Sequence, residues 1–204
     1  MTQFRMRFVA AAMVAAMTVP ALAQISHSDG FAFLKAVRER DGAKVTAAVL
    51  QPGSNIINHR DVGSGDGALH ILVRARDLTY LNYLLARGAR PDLQNNDGDT
   101  PLLLAAQIGW VAGAEQLLAR RASPNLANGR GETPLILAVQ GQHLPMVRLL
   151  IGHGADPNHA DSLQGYSAID YARQDRRFAA ILRVLEAPRS TPTPTPAPTA
   201  ATGN

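Results

Sequence analysis

Cysteine is absent from the 204 residues. That excludes disulfide scaffolds, thiolate zinc sites, cysteine nucleophiles and lipid attachment through a cysteine. Aromatic residues are sparse at 5%, yet 46% of the chain is hydrophobic and 18% charged. This balance belongs to globular sequences rather than disordered, collagenous or multi-span membrane ones. An excess of one charge is missing too. The 20 Lys and Arg face 16 Asp and Glu, and two of the basic residues, Arg5 and Arg7, lie in a leading segment without any acid. The rest of the chain therefore carries 18 basic against 16 acidic residues. No basic run is longer than the pairs Arg120-Arg121 and Arg176-Arg177, which argues against a nucleic-acid binder.

Catalytic and metal-binding signatures are also lacking. Gly63-Ser64-Gly65-Asp66-Gly67 has neither the lysine nor the preceding strand of a phosphate loop. No serine stands in a Gly-x-Ser-x-Gly context. His143, His153 and His159 share a region, but the six-residue step from His153 to His159 matches no standard metal motif. Asp97 and Asp99 form a carboxylate pair on a polar turn, where nothing would raise their acidity toward proton-transfer work. No catalytic residue, metal site or cofactor is expected, and an enzyme is disfavoured.

The two ends of the sequence have their own compositions. Residues 1–23 combine a basic start, a short apolar run from Phe8 to Met17 and an Ala21-Leu22-Ala23 ending. This is the layout of a secretory signal peptide, cut between Ala23 and Gln24. A retained anchor is the alternative, but spanning needs about 20 apolar residues, and Pro20 would break a continuing helix. The bacterial periplasm is the expected location, with full secretion as the second choice and no membrane insertion once the signal is removed. At the other end, residues 188–204 alternate proline with threonine and alanine. Such a segment follows an extended path and has little to bury, so a disordered tail is expected. A ligand for a proline-recognising groove is the functional alternative.

Between these ends the sequence repeats. Gly65-Asp66-Gly67-Ala68-Leu69-His70, Gly98-Asp99-Thr100-Pro101-Leu102-Leu103 and Gly131-Glu132-Thr133-Pro134-Leu135-Ile136 are spaced by 33 residues. A fourth copy, Gly165-Tyr166-Ser167-Ala168-Ile169-Asp170, follows after 34. Each is trailed at matching phase by a second block. These are Leu84 to Asp92, Leu117 to Asn125 and Leu150 to Asn158. Thr100 and Thr133 can cap a starting helix, with Pro101 and Pro134 in the first helical position. Gly88 and Gly154 can end the following helix in the left-handed conformation. Asn95-Asn96-Asp97-Gly98 and Asp156-Pro157-Asn158 are turn chemistry.

Copies of this length and motif resemble the ankyrin repeat. The resemblance implies an all-α solenoid of about five helix-turn-helix units joined by β-hairpin-like loops, within an ankyrin-repeat domain at 24–187. The units fall at about 28–60, 61–94, 95–127, 128–161 and 162–186. The first and last carry more charge, as the ends of a solenoid require. The second unit lacks the Thr-Pro start and is expected to be the least stable internal one.

The resemblance further implies a monomeric, non-enzymatic module that binds another protein on the concave side, which is built from hairpin tips and first helices. Asp66, Asp99 and Glu132 then form an acidic row ending at Tyr166, offered either to a basic partner segment or to solvent as a solubilising edge. Asn96, Asp97, Gln107, Ile108, Arg130, Gln140, Gln174 and Asp175 are placed on the same side. Trp110 occupies the inter-helix turn where the family usually has histidine, as at His143. It serves either as an interface hot spot or as packing for the adjoining turn. Two biological settings remain open. One is an accessory factor that stabilises or positions an exported enzyme, the other a secreted effector.

Overall fold

The computed structural model describes residues 27–51 and 54–187. The expected signal peptide with its Ala23–Gln24 cut, and the proline-rich segment 188–204, lie outside the described residues. Ten α-helices follow in order: α1 His27–Glu39, α2 Gly42–Val49, α3 Ala68–Arg74, α4 Leu78–Ala86, α5 Pro101–Gln107, α6 Val111–Ala119, α7 Pro134–Gln140, α8 Leu144–Gly152, α9 Ala168–Arg173 and α10 Ala179–Glu186. Single 3-10 turns sit at Ile56–Asn58 and Arg176–Phe178. Among the described residues extended pairing is limited to two isolated antiparallel bridges, Arg60 with Gly67 and Ala160 with Ser167. The fold is an all-α solenoid.

Local chemistry sets where the first helices begin. Thr100 Oγ1 accepts from the Leu103 amide and Thr133 Oγ1 from that of Ile136, each with proline following at the first helical position. Ser167 and Asp170 cap α9 reciprocally, Ser167 accepting from the Asp170 amide while Asp170 accepts from the Ser167 amide. Gly67 has no side-chain oxygen to cap the start of α3. There His70, fully buried, accepts the Gly67 amide at Nδ1, and its Nε2 bonds the Asp99 carbonyl of the next unit at 2.9 Å. Gly88 and Gly154 end α4 and α8 at φ 89° and 84°. The equivalent place after α6 is filled by Arg121 at φ 65°, a conformation that costs a side-chain-bearing residue on the order of 1–2 kcal/mol.

The helices stack in two rows. In one row α1, α3, α5, α7 and α9 pack in succession, and in the other α4, α6, α8 and α10 do so. Small residues such as Ala105, Ala106 and Ala138 are fully buried between the rows, and Leu102, Leu117, Leu135, Ile136 and Leu150 fill one continuous apolar interior. A short helix cannot hide its apolar face alone, so stability comes from neighbour to neighbour.

Two polar seams run along this stack. At the hairpin tips a single backbone bond joins each unit to the next: Asn96 donates to Ser64, Gly129 to Asp97 and Ser162 to Arg130, at 2.8–3.0 Å. At the base, Asn58, Asp92 and Asn125 accept from the amides of Arg90, Ser123 and Asp156 at 2.7–2.9 Å. The tip bonds run from the second unit to the fifth at a 33-residue step. The base bonds run from the first to the fourth, with donors at the same step. The internal units are therefore fixed at two ends, and registration is imposed along the array.

Candidate protein-interaction surface

Each hairpin loop is organised by one short polar side chain. Asn95 Oδ1 accepts the amides of Asp97 and Asp99, and Asn128 Oδ1 those of Arg130 and Glu132. Asp61 and Asp161 accept two and three loop amides at the same place. The asparagines also have a donor, and it reaches back one unit. Asn95 Nδ2 donates to Asp66 and Asn128 Nδ2 to Asp99, both at 3.0 Å.

This changes the meaning of the acidic row. Asp66 and Glu132 are not an exposed stripe; they are only 7% and 8% exposed. Asp66 is held by Asn95 and by an ion pair with Arg74, Glu132 by Asn128 and Arg130 at 2.8–2.9 Å. Asp99 is half-buried against Asn128. The Asp66 and Asp99 carboxylates join units, because a carboxylate beside the loop is the natural acceptor for the next loop's asparagine. The last joint departs from this rule. Asp161 has no donor to give, so Glu132 turns to its own unit, and Asp161 takes the Tyr171 hydroxyl at 2.5 Å. Burial works against the Asp161 charge, but the Tyr171 hydroxyl and the loop amides outweigh it and hold the carboxyl below its ordinary value. Burial, and then the facing Asp161 carboxylate, push the Tyr171 hydroxyl up to about 12. At Asp61 the Ser64 amide leads the groups that lower its carboxyl. Burial holds His70 below the usual imidazole range, consistent with Nδ1 serving as an acceptor.

Trp110 is likewise turned inward. It is 9% exposed at the start of α6, with its ring lying over Gly113, where any Cβ would strike it. Packing against its own helix is its place in the fold, because Gly113 leaves a hollow for the indole. His143 starts α8 and its Nε2 bonds the Gln107 carbonyl of the preceding unit at 3.2 Å.

The remaining expected residues are outside. Asn96, Asp97, Arg130, Gln107, Gln140 and Gln174 are exposed, Tyr166 is 40% exposed, and Ile108 and Asp175 are half-buried. Gln107 and Gln140 end α5 and α7. Arg74 holds the same repeat position at the end of α3, and Gln174, just past the end of α9, holds it in the last unit; both are exposed. Arg74 is not among the expected residues, although counting 33 back from Gln107 finds it; the 34-residue step of the last copy leads from Gln140 to Gln174, which is. The result is a row along the first helices, Arg74, Gln107, Gln140 and Gln174, with a cation at one end followed by three amides. Arg74 is braced by Asp66.

Among the described residues no group of three or more His, Asp or Glu could hold a metal ion, and no helix is long and apolar enough to cross a membrane. Stacked helix pairs joined through their hairpin tips define a helical-repeat solenoid. A family model described as ankyrin repeats (3 copies) matches residues 69–161 and 112–187. These matches together span more than half of the chain, which belongs to the ankyrin-repeat family, a family of protein-interaction modules.

Proposed function

We propose that the protein is a non-catalytic module of the bacterial envelope, exported to the periplasm, that holds a partner protein on the concave face of its array. The observation that supports this reading is the row Arg74, Gln107, Gln140 and Gln174, flanked at the tips by Asn96, Asp97, Arg130 and Tyr166. In the described residues every buried side-chain nitrogen and oxygen has a hydrogen-bond partner, so the loops need no partner to become ordered. A surface fixed in advance loses little conformational freedom on binding. Glutamine both donates and accepts, and the acids behind the row are already neutralised by partners. The surface therefore fits a partner segment with amide-like hydrogen-bonding groups along most of its length and a carboxylate at the end that meets Arg74, rather than a basic segment.

The test is capture from the periplasmic fraction with protein purified from the same fraction. Its mass should correspond to a chain beginning at Gln24. The double variant Gln107→Arg, Gln140→Arg should lose its captured protein by about tenfold or more, a penalty for desolvated and repelled groups at an interface centre. Glu115→Arg, on the exposed side of α6, should capture as the native chain does. Equal capture by the double variant would refute the concave-face reading, and an intact Met1 would refute export.

A further inference from the structure

The sequence shows no basic cluster beyond adjacent pairs, but the fold assembles one. Arg87 and Arg120 stand at the ends of α4 and α6, and Arg120 donates across the unit boundary to the Leu85 carbonyl at 3.2 Å. The segments that follow run side by side, joined where the Ser123 amide meets Asp92 at 2.9 Å. Arg90 and Arg121 are thereby brought beside the first two. All four arginines are exposed, and among the described residues none forms an ion pair with a carboxylate, whereas Arg38, Arg40, Arg74, Arg130, Arg173 and Arg177 all do.

Local roles account for only half of this patch. Arg87 lies over the Tyr83 ring at 5.2 Å, and Arg120 holds its carbonyl. Cations at helix ends also favour the helix dipole. Arg90 and Arg121 have no such side-chain role, and Arg121 occupies a left-handed position that its counterparts fill with glycine. The acid within the patch, Asp92, accepts a backbone amide, and Asp156 closes the patch where the fourth unit has an acid in place of Arg90.

We infer that this basic edge, at the base of the second and third units and separate from the concave row, is a docking surface for a carboxylate-rich segment of a partner protein. The arginine fork matches carboxylates in paired geometry. A lipid surface fits less well. The exposed large apolar side chains, Phe31, Leu50, Val62, Leu78, Leu163 and Tyr166, lie outside the segments that carry these arginines, so nothing in the patch would enter a bilayer. The inference does not depend on the concave-face reading.

Fluorescence anisotropy of a labelled hexaglutamate peptide with the whole purified protein tests it. Saturable binding should weaken by about tenfold or more in Arg90→Glu, Arg121→Glu, and should fall between about 50 mM and about 300 mM salt. Three controls accompany it. Arg176→Glu, Arg183→Glu, with the same change of charge on the last unit, should bind as the native chain does, as should Gln107→Arg, Gln140→Arg. Phosphatidylglycerol vesicles should not bind. Helical circular dichroism confirms that the variants are folded. Undiminished peptide binding by Arg90→Glu, Arg121→Glu would overturn the inference, as would equal loss in the last-unit control. Vesicle binding that depends on Arg90 and Arg121, without peptide binding, would overturn it in favour of a membrane.

Discussion

Gly98→Ala should destabilise the array by about 3 kcal/mol, whereas Gly165→Ala at the equivalent hairpin position should cost about 1 kcal/mol. Both glycines have positive φ, 80° and 69°, so a methyl group meets the same left-handed penalty at each. Their surroundings differ. A Cβ at Gly98 would lie 2.6 Å from the Gly129 amide nitrogen, the group that bonds Asp97 across the tip, while at Gly165 none of the other described residues comes within 4 Å. Gly98 is crowded by the next unit's backbone, which cannot swing aside as a side chain could; Gly165 has no further hairpin against it. The difference between the two variants therefore measures the tip contact itself. Thermal unfolding reads it, with a melting-temperature drop of roughly 6–12 °C expected for Gly98→Ala. Equal losses at the two sites would mean that the tips are not locked together.

Asn128→Ala should have an effect of similar size. Its side chain bonds Asp99 and Glu132 through Nδ2 and the Arg130 and Glu132 amides through Oδ1. Asn128 is 8% exposed, so water replaces these bonds poorly and the groups left behind bear a desolvation penalty of about 1–3 kcal/mol each. Arg130 still holds Glu132, which limits the expected loss to about 3 kcal/mol. Asn125→Ala is the comparison. Asn125 also bonds across units, to Asp156 and Gly154, but on an exposed edge, where solvent can substitute and about 1 kcal/mol is expected. Denaturant unfolding of the two variants, compared at unchanged m-value, separates a buried joint from a surface one. A loss at Asn128 no larger than at Asn125 would contradict the assignment of the acidic row to unit joining.

The architecture was open to reading because its cues are local and recur. Thr-Pro starts, glycine stops and a 33-residue period depend on a few neighbouring residues, and a solenoid needs little else. The surface was less open. Asp66, Asp99 and Glu132 recur in phase as a binding stripe would, but so does any group that joins identical units, and periodicity cannot separate the two. Only the partners distinguish them, and Asn95 and Asn128 lie 29 residues beyond the carboxylates they reach. The two readings of Trp110 could not be told apart for a similar reason, since the glycine that receives its ring is unremarkable until helix α6 places the two together. Gln107 and Gln140 are exposed at the ends of α5 and α7, where their repeat position put them. The four-arginine edge was invisible, as its members come from segments about 30 residues apart.

Amide hydrogen exchange at the hairpin tips tests most directly whether the units form one rigid, preformed surface. The residues Asn96, Gly129 and Ser162 are exposed, yet each amide donates to the neighbouring unit. In a locked array these three protons exchange as slowly as the amides of α5. Exchange at the rate of free loop amides would show hairpins that move independently, and a surface that is not formed before its partner arrives.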